Sequence, residues 1–272
     1  MVEQIHAVML SGGSAFGLDA CGGAMEYLEE RGVGFDVGVT VVPIVCGAAL
    51  FDLVVGDPKR RPDKTMGYDA CKAAENGEPE EGNAGVGTGA TVGKFFGIDR
   101  MMKSGVGIYA VQAGAVQCAA IVAVNALGDV YDPETGEQIA GLLNEDKTAM
   151  ISTVSAMYDE IGKSRNVFSG NTTIGCVITN ARLTKPQCNK LASVAHNGLA
   201  RAIRPVHTSA DGDTIFVLAT GEVEVGADGL GALASEVMAK AIARAARKAK
   251  PAYGLPGHIF TKEGFLFSNN EI

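Results

Sequence analysis

Four glycines fall within the ten residues Gly85-Val86-Gly87-Thr88-Gly89-Ala90-Thr91-Val92-Gly93-Lys94. Glycine at that density weakens helix and strand alike and opens left-handed conformations, so the segment must be backbone-dominated loop or turn. Residues 75–83, acidic and glycine-bearing, lead into it. The whole chain shares this habit: 36 of its 272 residues are glycine, which implies many tight turns and close backbone approaches. A glycine run that ends in lysine invites a phosphate-loop reading, but the spacing excludes it. A Walker loop needs glycine five residues before Gly93, where Thr88 stands, and Ser or Thr after Lys94, where Phe95 stands. The dinucleotide fingerprint is met only as Gly85-x-Gly87-x-x-Ala90, and it follows an acidic loop instead of a strand, so nucleotide binding is set aside.

Around that loop, strand and helix signals mix. Residues 5–10 form an apolar run that ends in Ser11-Gly12-Gly13-Ser14; Leu18, Cys21, Met25 and Leu28 then recur at helical spacing as far as Gly32. Strand, glycine turn and helix are predicted. Residues 37–45 are rich in β-branched side chains and read as a buried strand, with Pro43 demoting the far end to an edge or turn. Residues 106–111 and 116–124 read as a hairpin joined through Ala113-Gly114-Ala115, with Asn125 just past the second strand. From 132 to 171 the composition turns polar and reads as a linker between two halves, with a short helical pattern over 150–161. Residues 173–179 are a strand, and Thr184-Lys185-Pro186-Gln187 opens a helix with a capping box and an early proline. A strand at 215–219 and an alanine-rich helix at 230–250 follow, the helix carrying Glu236 and Lys240 at i,i+4 and a basic last turn. Strands and long helices do not alternate regularly, so an α/β layered domain with a mixed or antiparallel sheet fits better than a barrel.

Charge and cysteine usage bound the partners. Thirty-one acidic against 23 basic residues give a net charge of −8, a field that repels phosphate backbones and anionic membranes; neither nucleic acid nor membrane is expected as a partner. Six cysteines with no CxxC pair signal neither a zinc ribbon nor a disulfide scaffold, and most read as small buried hydrophobes. The N-terminus lacks the basic and apolar regions of a signal peptide, so a cytoplasmic location is expected. Four scattered histidines give no support to a His-based triad or a metal site; His6 reads as core and His207 as close to a site. The nucleophile elbow also fails, because Phe16 stands where its last glycine is needed in Gly12-Gly13-Ser14-Ala15-Phe16.

Gly170-Asn171-Thr172-Thr173 carries a different chemistry. It places two successive hydroxyls between a polar stretch and an apolar strand. Threonine used for strand propensity accounts for this. So does cleavage after Asn171, which would make Thr172 a chain terminus whose own amine is the base for its hydroxyl. Asp211-Gly212-Asp213 is likewise either an Asx turn or a pair of acids holding that terminus. Asn125 and Tyr68 are either structural or donors to a developing oxyanion.

Taken together, Ser11-Gly12-Gly13-Ser14-Ala15-Phe16-Gly17-Leu18-Asp19-Ala20, Glu81-Gly82-Asn83, the segment from Gly87 to Lys94, Ala123-Val124-Asn125-Ala126 and Asn171-Thr172-Thr173-Ile174-Gly175 resemble the L-aminopeptidase/D-esterase family. That family includes β-peptidyl aminopeptidases and the endo-type nylon-oligomer (6-aminohexanoate oligomer) hydrolase. The resemblance covers essentially the whole chain. It implies a self-processing N-terminal nucleophile hydrolase with an αββα four-layer sandwich, a single domain over 1–272 that cuts itself into an α chain, 1–171, and a β chain, 172–272. Under the resemblance the nucleophile falls on Thr172, and Asp211 and Asp213 match the acidic pair of the nylon-hydrolase branch. Asn125 matches the oxyanion-hole asparagine, Lys94 a catalytic-site lysine and Tyr68 a substrate-site tyrosine. The implied substrates are small peptides with L-, D- or β-residue N-termini, or linear ω-amino-acid oligomers, acted on without a cofactor by a homo-oligomer of αβ units. One departure is that family members usually carry several dozen residues before the segment matching 5–20. Their lack implies an exposed sheet edge and a thinner pocket wall, and leaves room for a non-catalytic, unprocessed form that binds or assembles. An acetyl-transferring enzyme of related architecture ranks below these, since its motifs are not found.

Overall fold

The computed structural model describes residues 2–163, 170–258, 260–261 and 264–265. The chain runs through β1 (Ala7–Ser11), α1 (Ala20–Glu29), β2 (Val45–Ala49), α2 (Lys64–Asn76), β3 (Val106–Ala113), β4 (Val116–Ala123), α3 (Thr153–Asp159), β5 (Ile174–Ala181), α4 (Lys185–Ala202), β6 (Thr214–Val223) and α5 (Ala227–Lys248). Four layers result. The helix pair α4 and α5 covers one face of a sheet ordered β6-β5-β4-β3. The parallel pair β1 and β2 meets the same sheet from the other side, and α1 and α2 lie outside it. This is the expected αββα arrangement. Among the described residues no helix is long and apolar enough to cross a membrane.

The largest core lies between the four-stranded sheet and α4 and α5, and it is built of small side chains on the helix and branched ones on the strands. Ala234, Ala239, Ala241, Ala245 and Ala246 of α5 are fully buried against Val122 and Val177, among others. The capping box of α4 forms, with the Gln187 side chain accepting from the Thr184 backbone N–H at 2.8 Å. Glu236 and Lys240 form their i,i+4 ion pair on α5.

The first half departs from the sequence reading in three places. On α1 the apolar stripe is not the buried face: Leu18, just ahead of the helix, and Met25 are 46% and 39% exposed, whereas Ala20, Gly23, Ala24 and Tyr27 are buried. The reason is the closeness of α2. A Cβ on Gly23 would sit 1.9 Å from the Lys64 carbonyl oxygen, and one on Gly67 would sit 2.0 Å from that of Ala20. Two helices this near can touch only through small residues. The strand expected at 37–45 begins later, at Val45, because Gly38 takes φ +83° and donates its N–H to Asp36, turning the chain between two short paired segments. Val37 and Val39 are exposed.

The third departure is the stretch from 132 to 171, which is no linker as far as it is described. Asp132 accepts from the backbone of Glu134 and Thr135, Gln138–Ala140 pairs with Asp129–Tyr131, and Ser152 caps α3. The wholly buried Asp129 accepts from Leu142 and from both the backbone and hydroxyl of Thr153, tying the segment to the core. Residues 164–169 lie outside the described residues. Of the cysteines only Cys118 and Cys176 are buried, the other four being half-buried, and all six are free. His6 is half-buried rather than core, accepting the Ile44 N–H at its Nδ1.

Candidate active site

Sheet register places the site. β4 is antiparallel to β5, with Ala123 opposite Ile174, and β5 is parallel to β6, with Ile174 opposite Thr214. The end of β4, the start of β5 and the start of β6 therefore meet at one end of the sheet. Asn125 lies just beyond the first, Asn171 and Thr172 just before the second, and Asp211 and Asp213 just before the third. Residues separated by dozens of positions are neighbours for this reason alone.

The Asn171–Thr172 peptide sits at the centre. The Thr172 backbone N–H donates to the Asn125 carbonyl at 2.8 Å, and the Thr172 hydroxyl donates to the Asn171 carbonyl oxygen at 2.5 Å. The Gly212 backbone N–H reaches the same oxygen at 2.9 Å. Gly212 leaves the Thr172 hydroxyl room, since a Cβ there would stand 3.2 Å from Thr172 Oγ1. One carbonyl thus receives a hydroxyl from its own chain neighbour and a backbone donor of the kind that stabilises an oxyanion.

The two acids do separate jobs. Asp211 accepts from the Leu127 N–H at 3.1 Å with one oxygen and from the Thr208 hydroxyl at 2.5 Å with the other, which holds the turn that carries Gly212. Asp213 accepts from the Thr173 N–H at 2.8 Å with Oδ1, and its Oδ2 lies 2.8 Å from His207 Nδ1. Burial pushes the Asp213 carboxyl above its usual range; the Thr173 N–H works against that shift, Asp211 adds to it, and His207 opposes it.

Asn125 is wholly buried and fully engaged. Its side-chain oxygen accepts from the Thr91 N–H at 3.1 Å and from Lys94 Nζ at 2.7 Å, while its Nδ2 donates to the carbonyls of Phe51 at 2.9 Å and Gly170 at 3.3 Å. The glycine-rich loop delivers Lys94 to this point by pairing Thr91–Val92 with Met102–Lys103. Burial drags the Lys94 ammonium down to about 7, an effect that Asp211 and Asp52 counter and Lys103 reinforces.

The structure brings Lys94, Asn125, Asn171, Thr172, Asp211 and Asp213 together. Tyr68 is not recorded among them: on α2 its hydroxyl donates to Glu30 at 2.7 Å and its ring meets Tyr27 edge-on at 5.2 Å. Two ionisable groups escaped the sequence reading. Lys103 is buried, and burial brings it down to about 7. Asp52 lies next to Phe51, accepts the Gly13 N–H at 2.7 Å and is pushed up by burial. Asp52 had a signal, a lone charge inside the apolar run Leu50-Phe51-Asp52-Leu53-Val54; Lys103, with Asp99 and Arg100 close before it and Ser104-Gly105 after it, had none. Asp52 lines a cavity of about 1020 Å³ whose wall includes Ser11, Gly12, Arg61, Met66 and Thr88. Among the described residues no group of three or more His, Cys, Asp or Glu side chains is placed to hold a metal ion.

Known proteins share this arrangement of sequence and fold. The family model described as Peptidase family S58 matches residues 1–260. The chain is 39% identical over 280 residues to an uncharacterized aminopeptidase of Mycobacterium tuberculosis, covering 94% of this chain and 78% of that protein. It is 32% identical to a 6-aminohexanoate-oligomer endohydrolase of Kocuria sp., covering 89% of this chain and 72% of the relative. Among solved structures it resembles the L-aminopeptidase D-Ala-esterase/amidase of Ochrobactrum anthropi, described as a variant of the Ntn hydrolase fold, with a TM-score of 0.60 at 18% identity over 91% of this chain and 69% of that one. A Pyrococcus horikoshii protein matches with a TM-score of 0.57 at 22% identity; the match spans 88% of this chain and 65% of that one. With a family match over nearly its whole length and an Ntn-type layered fold, the chain belongs to Peptidase family S58.

Proposed function

We propose that the protein is a self-processing amide hydrolase whose nucleophile is Thr172, and that it removes N-terminal residues from small peptides. The observation that carries this reading is the Asn171 carbonyl, which receives both the Thr172 hydroxyl at 2.5 Å and the Gly212 N–H at 2.9 Å. Attack of Thr172 Oγ1 on the Asn171 carbonyl carbon forms a C–O bond, and the C–N bond to Thr172 then breaks. The hydroxyl proton ends on the freed amine, and the Gly212 N–H holds the transient negative oxygen. Water hydrolyses the resulting ester, leaving Asn171 as a carboxylate and Thr172 as an N-terminus.

The same groups then serve substrate. The free amine of Thr172, with an ordinary pKa near 8, accepts the proton from its own hydroxyl and returns it to the leaving amine. Departure of the Gly170 carbonyl releases a donor on Asn125 Nδ2 for the substrate oxyanion. Asp52 lines a cavity and follows Phe51, whose carbonyl accepts from Asn125 Nδ2; from there it offers a carboxylate to a substrate ammonium, which favours an aminopeptidase over an endo-type hydrolase of 6-aminohexanoate oligomers. Rates on a free-amine peptide and its N-acylated counterpart separate the two, since only the aminopeptidase needs the ammonium.

The deciding experiment is the intact mass of the purified protein under denaturing conditions. Two fragments of roughly 18 and 10 kDa, the smaller starting at Thr172, are expected from the chain length. Thr172→Ala should remain one chain. A wild-type chain that stays whole at 28.0 kDa would favour an unprocessed binding or assembly protein. In the cut protein, Asn125→Ala should lose about 100- to 1,000-fold in rate, the usual effect of deleting one oxyanion donor.

A further inference from the structure

His207 lies outside the groups that touch the Asn171–Thr172 bond, yet its geometry ties it to them. Its Nδ1 is 2.8 Å from Asp213 Oδ2, and the other oxygen of that carboxylate takes the Thr173 N–H at 2.8 Å. Thr173 follows the nucleophile directly. The Asp213 side chain is only 3% exposed, whereas that of His207 is 39% exposed, so the ring is the group through which this buried carboxylate meets solvent. The residue adopts φ +55°, a conformation unusual for a side-chain-bearing residue though more common for His, Asn and Asp than for most. The His196 ring, from α4, lies against it with centroids 4.9 Å apart. The fold accepts a rare backbone conformation and stacks a second ring behind the first, and together these hold an imidazole on Asp213.

We propose that His207 is a positioning residue for the Thr172 nucleophile, acting by keeping Asp213 ionised so that its two oxygens hold the imidazole and the Thr173 amide together. This rests on the reading of Thr172 given above. A protonated Asp213 would turn one of its oxygens into a donor, and it would keep both contacts only by donating to a bare Nδ1, that is, with the His207 proton on Nε2. Burial and Asp211, from the same turn, favour the protonated carboxyl; the Thr173 N–H and His207 favour the ionised one, the N–H being fixed by the backbone and His207 being the side chain that a substitution can remove. His196 faces the pair from α4, where burial and His207 hold its own pKa down and Asp213 works against that shift. Arg204 turns its guanidinium onto the Tyr131 ring, 4.6 Å from the centroid. His207 is thus the side chain that works against burial and Asp211 at this carboxyl, and it extends to lower pH the range over which Thr172 is held in line with the Asn171 carbonyl.

The test compares wild type, His207→Asn and His207→Ala. Asparagine tolerates the left-handed backbone and puts an N–H donor close to where Nδ1 stood, but it carries no charge. Chains made by cell-free synthesis are moved to buffers between about pH 5 and 9, which spans histidine titration, and the fraction cut before Thr172 is followed by intact mass. His207→Asn should cut at close to the wild-type rate at the upper end, with the acid limb of its profile shifted to higher pH. His207→Ala should show the same shift and be slower throughout. A purely structural role would scale the rate without moving the limb, and unmoved limbs in both variants overturn the proposal. Nitrogen-15 NMR of the Thr172→Ala chain, which stays in one piece, gives an independent reading of the ring. The neutral His207 should carry its proton on Nδ1; a proton on Nε2 with Nδ1 bare overturns the proposal even in a chain that never cuts. Failure of wild type to cut at all would instead refute the Thr172 reading.

Discussion

Lys94 and Lys103 are both buried, and burial holds each ammonium down to about 7 from an ordinary value near 10.5. Their pH linkage is therefore large and has a definite sign. Between pH 7 and the ordinary lysine range the unfolded chain keeps both protons while the folded chain has largely lost them, so stability must rise with pH. The window has natural limits on each side. Below it, Asp129, pushed up to about 6 by burial, begins to titrate. Above it, the buried thiols of Cys118 and Cys176, pushed up to about 11 and about 12, stay protonated when the unfolded thiols ionise, which lowers stability. From about pH 7 to about pH 8 the lysines dominate, and integrating the proton difference gives a gain of about 2 kcal/mol for the two together, of which the five thiols that burial raises take back at most about 0.7 kcal/mol.

The assay is urea denaturation of the Thr172→Ala chain at the two ends of that window, which keeps the polypeptide in one piece. Stability from midpoint and slope should rise by about 1.5 kcal/mol, and in a Lys94→Met background by about 1 kcal/mol less. Methionine fits the same space without the charge and leaves Asn125 Oδ1 its bond from the Thr91 N–H. A Thr172→Ala stability that is flat or falling across the window would refute the reasoning, as would a Lys94→Met variant of that chain that keeps the full rise. Lys103→Met is a poorer probe, because it strips three buried carbonyls of their donor.

Two further outcomes follow from single buried atoms. Ser104 Oγ is buried without a hydrogen-bond partner among the described residues, so Ser104→Ala should leave the chain at least as stable, with a gain of up to about 1 kcal/mol in denaturant melts; a clear loss would mean that the hydroxyl has a partner in solution. Gly93 has φ +73° and a Cβ there would stand 2.1 Å from the Gly141 carbonyl carbon, whereas Gly114 has φ +62° and open space around it. Gly93→Ala should therefore fail to give soluble protein, while Gly114→Ala costs about 1 kcal/mol; equal tolerance at both sites would remove the packing argument.

How far the sequence could be read depended on which physical signal each element left. The hairpin β3–β4, the capped helix α4 and the strands β5 and β6 carry local signals, in apolar runs, a Thr-x-x-Gln box and a proline, and all are present. The buried face of α1 left none, because it is defined by an absence of side chain: Gly23 meets the α2 backbone where a larger residue cannot go. Hydrophobic spacing pointed to Leu18 and Met25, which are exposed. The polar stretch after Asp132 misled for the opposite reason. Its polar groups are spent on its own turns and on ties to the core, such as Asp129 with Thr153, and sequence does not distinguish a polar group that is satisfied internally from one left to water.

The candidate site divides along the same line. Side chains with a sequence signature, Lys94, Asn125, Thr172 and the two aspartates, do converge, whereas the backbone N–H of Gly212 at the Asn171 carbonyl carries no signature at all. Tyr68 shows how little residue type alone decides, since its hydroxyl and ring are both occupied by α1. The glycine-rich loop joins the two halves of this argument. A segment with so few side chains buries its own carbonyls without the apolar surface to compensate for them, and those carbonyls need donors. Lys103 Nζ faces them, 3.1 Å from the Gly87 carbonyl, 2.9 Å from that of Thr88 and 2.8 Å from that of Ala90, and when protonated it has one N–H for each. The loop thus holds one buried lysine on one side and delivers a second, Lys94, to Asn125 on the other. The glycines that exclude a regular element here are the same ones that require a lysine beneath them.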